Sequence, residues 1–105
     1  MIEIIENDIL FRLGRNSREN FQIIDEADEN DWWFHLDDYP SGHCVISSST
    51  IDKSMIIFAG SLVKEYSKLK NNKKVKIIYT QIKNIKKTKT EGEVIILNQS
   101  NTIRL

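Results

Sequence analysis

Residues 32–37 read Trp-Trp-Phe-His-Leu-Asp, and this order sorts cleanly only as a strand. Side chains on a strand alternate between faces, so Trp32, Phe34 and Leu36 fall on one side and Trp33, His35 and Asp37 on the other. One face is wholly apolar and fit for a core, while the other is mixed. Tyr39-Pro40-Ser41-Gly42 follows, with proline second and glycine fourth, an arrangement that favours a type I turn. A second strand over 43–48 then runs back beside the first. Both tryptophans, both histidines, the only proline and three aspartates of the chain fall within residues 31–43.

The rest of the chain supplies partners for this strand pair. Short apolar runs over 2–5 and 9–13, separated by Glu6-Asn7-Asp8, predict a hairpin ending at Gly14. Ser17 is placed to cap a short helix through Ala27. Thr50 or Asp52 is placed to cap a longer helix whose stripe of Met55, Phe58, Ala59, Leu62, Tyr66 and Leu69 recurs at helical spacing, with Lys64, Lys68 and Lys70 off the stripe. Strands are expected over 75–87, 94–97 and 102–105. The order ββ-α-ββ-α-βββ makes one α+β domain over residues 1–105, a mostly antiparallel sheet with one long and one short helix.

At 105 residues the chain can bury one core without a disulfide scaffold. Cys44 is the only cysteine, and the first residues are acidic rather than a basic stretch before an apolar run, so a reducing, cytoplasmic setting is expected. No apolar run approaches the roughly 18 residues of a membrane span. The formal net charge of zero conceals a division. Residues 1–52 carry three Arg against twelve Asp or Glu, and residues 53–105 carry eleven Lys and one Arg against three Glu. Ten lysines and one glutamate lie between Lys64 and Lys89, a density able to attract a polyanion. Lysines on a solvated helix face and on protected edge strands would look the same.

Enzyme patterns are weak. His43 and Cys44 are adjacent on a strand and face opposite sides, so they cannot form a nucleophile and base pair there. Asp31, His35, Asp37, His43 and Cys44 offer metal-ligand atoms, yet no paired spacing organises them as a metal site. No phosphate loop, dinucleotide fingerprint or nucleophile elbow is present. Neither a catalytic residue, a metal nor a cofactor is assigned. His35 and His43, on facing strands with Trp33 beside them, suit stacking on unpaired bases. Equally, both imidazoles could donate to buried acceptors and hold the turn.

Three blocks resemble a known family: Gly14-Arg15-Asn16 with Asn20; Asp31-Trp32-Trp33-Phe34-His35 through Pro40-Ser41-Gly42-His43; and Tyr66-Ser67 followed by Tyr79-Thr80, Lys83 to Lys87 and Gly92-Glu93-Val94. Spanning residues 9–97 in order, they are similar to the NFACT-R domain, the RNA-binding module of NFACT proteins. The resemblance implies a stand-alone RNA-binding domain, not an enzyme, directed at tRNA or ribosomal RNA and linked to translation and ribosome quality control. Ribosomal or NFACT-type proteins are implied as further partners. It places nucleic-acid contacts at Arg15, Asn16, His35, Ser41, His43, Lys83, Lys86 and Lys87, to which the strand alternation adds Trp33 beside the histidines. Asn20, Asp31, Pro40 and Gly42 are expected to support the site. Arg15 and the lysines would meet phosphates, and the histidines base edges or ribose hydroxyls. The competing expectations are a protein-interaction module without RNA contact, and a hydrolase using His35, His43 and an aspartate.

Overall fold

A computed structural model describes residues 1–105. Strands β1 (Ile2–Glu6) and β2 (Ile9–Leu13) form the expected hairpin, and helix α1 (Ser17–Glu26) follows. Next come β3 (Trp32–Leu36), β4 (Cys44–Ile46) and helix α2 (Lys53–Glu65). The chain closes with β5 (Lys76–Gln81), β6 (Ile85–Lys87), β7 (Val94–Ile96) and β8 (Asn101–Arg104). Six strands make one sheet in the order β1-β2-β4-β3-β5-β8, and β6 pairs with β7 as a separate ribbon. Every pairing is antiparallel, so the α+β expectation holds.

Alternation decides the core. Phe11, Leu13, Phe34, Leu36, Cys44, Ile46 and Ile77 project from one sheet face onto Ala59 and Val63 of α2. Phe34 is fully buried, and removing a ring of that size costs about 3–5 kcal/mol. The mixed face is covered as well: Trp33 and Val45 pack against Ile23 of α1 and Ile85 of β6, with Val94 and Ile96 of β7 beside them. The sheet is therefore enclosed on both sides, by α2 on one and by α1 with the β6–β7 ribbon on the other.

Several local expectations change. The expected continuous strand over 75–87 breaks at a 3₁₀ turn, Ile82–Asn84. The Ile82 and Lys83 N–H groups donate to the Asp31 and Glu29 carbonyls, both at 2.9 Å. That capture turns the chain out of the main sheet and lets β6 cross over the mixed face. Asn16 rather than Ser17 caps α1, its side chain accepting from the Glu19 N–H at 2.9 Å. For α2 the cap is Asp52, which accepts from the Met55 N–H at 2.9 Å. α2 ends at Glu65, so Tyr66 is its C-cap and lies 57% exposed instead of continuing the core stripe. No backbone hydrogen bond closes a type I turn over 39–42. The bend sits at 37–39, where Asp38 has φ +64°, and the Leu36 N–H donates to Ser41 Oγ at 3.1 Å.

Candidate nucleic-acid interface

The segment joining β3 to β4 is held by backbone approaches that only glycine permits. Gly14 donates its N–H to the His43 carbonyl at 3.0 Å. A Cβ on Gly42 would stand 2.3 Å from the Gly14 carbonyl oxygen, and one on Gly14 would stand 2.0 Å from Asn20 Oδ1. Both distances lie far inside van der Waals contact. Asn20, buried in α1, uses that Oδ1 to accept from the His43 N–H at 3.0 Å. Thus the start of α1 and the loop before β4 are locked together, and His43 is positioned from both sides.

The two imidazoles lie edge to face with ring centroids 4.8 Å apart. Trp33 stacks on His35 at 5.7 Å with planes 7° apart, and its Nε1–H donates to His43 Nδ1 at 3.0 Å. An accepting Nδ1 leaves the His43 proton on Nε2. His35 Nδ1 lies 2.6 Å from the Leu36 carbonyl oxygen. Since a carbonyl can only accept, the proton sits on Nδ1 and His35 Nε2 keeps a lone pair. Both rings stay neutral. Burial pushes the His43 pKa down to about 3, assisted by neighbouring His35 and opposed in part by the Gly92 backbone. Burial also lowers that of His35, against the Leu36 carbonyl and the Asp37 carboxylate.

These groups border a cleft of about 740 Å³. Its lining includes the His35 and His43 pair, residues 37–41 of the loop, and Ser17 with the turn over 90–93. That turn is closed by the Glu93 N–H donating to the Thr90 carbonyl at 3.0 Å. No lysine or arginine lines the cleft. Asp37 pairs with Lys76 Nζ at 3.1 Å, which occupies the aspartate nearest the histidines.

The expected contact residues divide into two groups. Trp33, His35, Ser41 and His43 gather in the cleft, while Arg15, Asn16, Lys83, Lys86 and Lys87 lie outside its lining. Trp33 is only 2% exposed, so the stackable face expected there is spent on packing. The Ser41 hydroxyl accepts from Leu36 and donates to the Gly42 carbonyl at 3.0 Å, closing the loop. Asp31, 9% exposed, accepts from the Asp28 N–H at 2.9 Å. Arg15 is engaged by both carboxylate oxygens of Glu19, which also holds the N-terminal ammonium. Lys87 pairs with Asp25 and lies over the Phe21 ring. Lys83 donates to Asn30 Oδ1 at 3.2 Å, and no carboxylate pairs with Lys83, Lys86 or Lys89.

The sequence assigns no contact to Tyr39, 55% exposed at the cleft rim, and counts Lys89 only within the lysine-dense stretch. Tyr39 could have been found as an aromatic next to the turn proline, where no helix or strand pattern demands one. Cys44 faces the α2 core, with burial pushing its thiol up to about 12, so it shares no proton with His43. No group of three or more His, Cys, Asp or Glu side chains converges as a metal site.

Among solved structures, the C-terminal part of the fibronectin/fibrinogen-binding protein from Streptococcus suis superposes with a TM-score of 0.89 at 22% identity. The match covers 98% of this chain and 43% of that one, a likeness of fold. The Rqc2 homolog RqcH of Bacillus subtilis strain 168 is 36% identical over 76 residues, 71% of this chain and 13% of that protein. Residues 4–98 match the family described as NFACT protein RNA binding domain. With a match of that extent, the glycine-locked loop, the paired histidines and the lysine-bearing ribbon are features of a chain that belongs to the NFACT RNA-binding domain family.

Proposed function

We propose that this chain is a non-catalytic RNA-binding module of the NFACT type, directed at tRNA or ribosomal RNA and serving translation and ribosome quality control in the cytoplasm. The observation that carries this reading is the family match over residues 4–98, nearly the whole fold. Supporting it, Lys83 in the 3₁₀ turn before β6, Lys86 on β6 and Lys89 just after it present ammonium groups with no carboxylate partner. Such groups bind phosphates and release counterions. Lys87 and Arg15 reach phosphate only by exchanging Asp25 and Glu19 for it. His35, Ser41 and His43 form the surface beside the strand, with Asn16, Asn20, Asp31, Pro40 and Gly42 holding its shape. RqcH, similar over 76 residues, supports a ribosome-related setting, and ribosomal or NFACT-type proteins are the expected partners there.

Fluorescence anisotropy with labelled tRNA and ribosomal RNA fragments, between 50 and 300 mM salt, tests the reading. Binding should weaken linearly on a logarithmic salt scale, with a slope of about −0.7 per phosphate neutralised on single strands. Lys86→Ala with Lys87→Ala should weaken all RNAs similarly and flatten that slope. RNA binding absent in the folded wild type, or unchanged in the double variant, contradicts the proposal.

A further inference from the structure

The cleft and the lysines ask for different parts of a ligand. Three carboxylates of the cleft, Asp38, Glu91 and Glu93, carry no ion pair, and no cation lines it. A phosphate is repelled there. What the cleft presents instead is acceptors: the carboxylates and the unprotonated Nε2 of neutral His35. Beside them stands the exposed ring of Tyr39. Aromatic rings at such a rim stack on unpaired bases, and carboxylates accept from exocyclic amino groups such as that of cytosine.

Position links the two surfaces. Lys86 and Lys89 run along β6 and into the turn, and Thr90, the next residue, already lines the cleft. Adjacent residues of an extended chain are about 3.3 Å apart. A strand whose phosphates follow these lysines therefore carries its bases past the cleft mouth, whereas a basic peptide is repelled by the same lysines. At about 740 Å³ the cleft falls within the usual range for small-ligand sites.

We infer that the His35–Tyr39 cleft receives one unpaired, amino-bearing nucleobase, stacked on Tyr39 and donating to the cleft's acceptors, while the phosphates stay outside on Lys86 and Lys89. This rests on the RNA-binding reading and adds a preference to it. The base, rather than the backbone, is what the histidine surface meets.

The test compares rC10 with rU10 at pH 7.5. The two oligonucleotides carry equal charge and differ in each base at C4, an amino group against a carbonyl, and at N3, an acceptor against an N–H; only cytosine offers the two-proton exocyclic amino donor. The wild type should bind rC10 about tenfold more tightly, equivalent to about 1.4 kcal/mol. Tyr39→Ala, at an exposed position, should lower rC10 affinity by a similar factor with an unchanged melting profile. Asp38→Asn with Glu91→Gln and Glu93→Gln should bring the two affinities together. Lys86→Ala with Lys89→Ala should weaken both oligonucleotides equally. Equal wild-type affinities with a silent Tyr39→Ala, but loss in the lysine variant, overturn the cleft assignment and leave RNA binding standing. No binding of either oligonucleotide overturns both. Deca-arginine binding that depends on Tyr39 and is not displaced by rC10 also overturns it, making the cleft a protein-docking site.

Discussion

Lowering the pH should destabilise this domain through His43, by an amount the structure bounds. The ring is 2% exposed, its Nδ1 accepts from Trp33, and its pKa falls from 6.5 to about 3. A depressed folded pKa means that the unfolded chain takes up the proton first. Stability is therefore full above pH 6.5 and declines as the pH falls toward 3, at about 1.36 kcal/mol per unit for one group. By pH 4.5 the loss from His43 alone reaches about 2.7 kcal/mol, against about 5–15 kcal/mol for a domain of ordinary stability. Urea denaturation from pH 7 to pH 4.5 measures it. His43→Gln keeps an acceptor for Trp33 but cannot titrate, so the difference between the two pH profiles removes the carboxylates common to both. In parallel, the His43 ring resonances of the wild type should show no titration down to pH 4.5. A His43 titrating near pH 6, or identical pH profiles for wild type and His43→Gln, refutes the argument that a buried, Trp33-bonded neutral imidazole holds this loop.

Gly42→Ala should lose about 1–3 kcal/mol in denaturant midpoint analysis, the range for overpacking, because its Cβ meets the Gly14 carbonyl oxygen. Asn20→Ala strands the buried His43 N–H and should lower stability by about 1–3 kcal/mol, read by the same titration; an unchanged midpoint would show that another group satisfies that donor. Cys44, fully buried with its thiol pushed up to about 12, should react with a thiol reagent only after denaturation, so rapid labelling of the native protein contradicts its placement in the α2 core.

The motifs Gly14-Arg15-Asn16 and Pro40-Ser41-Gly42-His43 are far apart in the chain and look unrelated as strings. In the fold they are one object: Gly14 and Gly42 bring the backbones together, and Asn20 bridges them to His43. Their family pattern was readable from the sequence, whereas their joint purpose was not, because backbone contact leaves no trace in residue type beyond the glycines themselves. The lysines were readable as a dense positive stretch. That Lys87 is paired while Lys86 is not depended on Asp25, carried by a helix whose packing against the ribbon no local pattern reveals.

By itself the sequence determined the β1–β2 hairpin, a cap at Thr50 or Asp52 for the long helix, the face assignments along β3 and the separation of His43 from Cys44. All of these follow from periodicities and capping chemistry within a few residues. The tertiary structure decided what covers each face. Period two states that Trp33 and His35 share a side, but their burial depends on the ribbon of residues 85–96 crossing over them. That crossing follows from hydrogen bonds between the 82–83 backbone and the loop before β3. The same crossing closes DWWFHLDDYPSGH into a cleft, withdraws Trp33 into the packing and leaves Tyr39 as the exposed ring. Such outcomes are set by contacts between segments distant in the chain, where local periodicity carries no information.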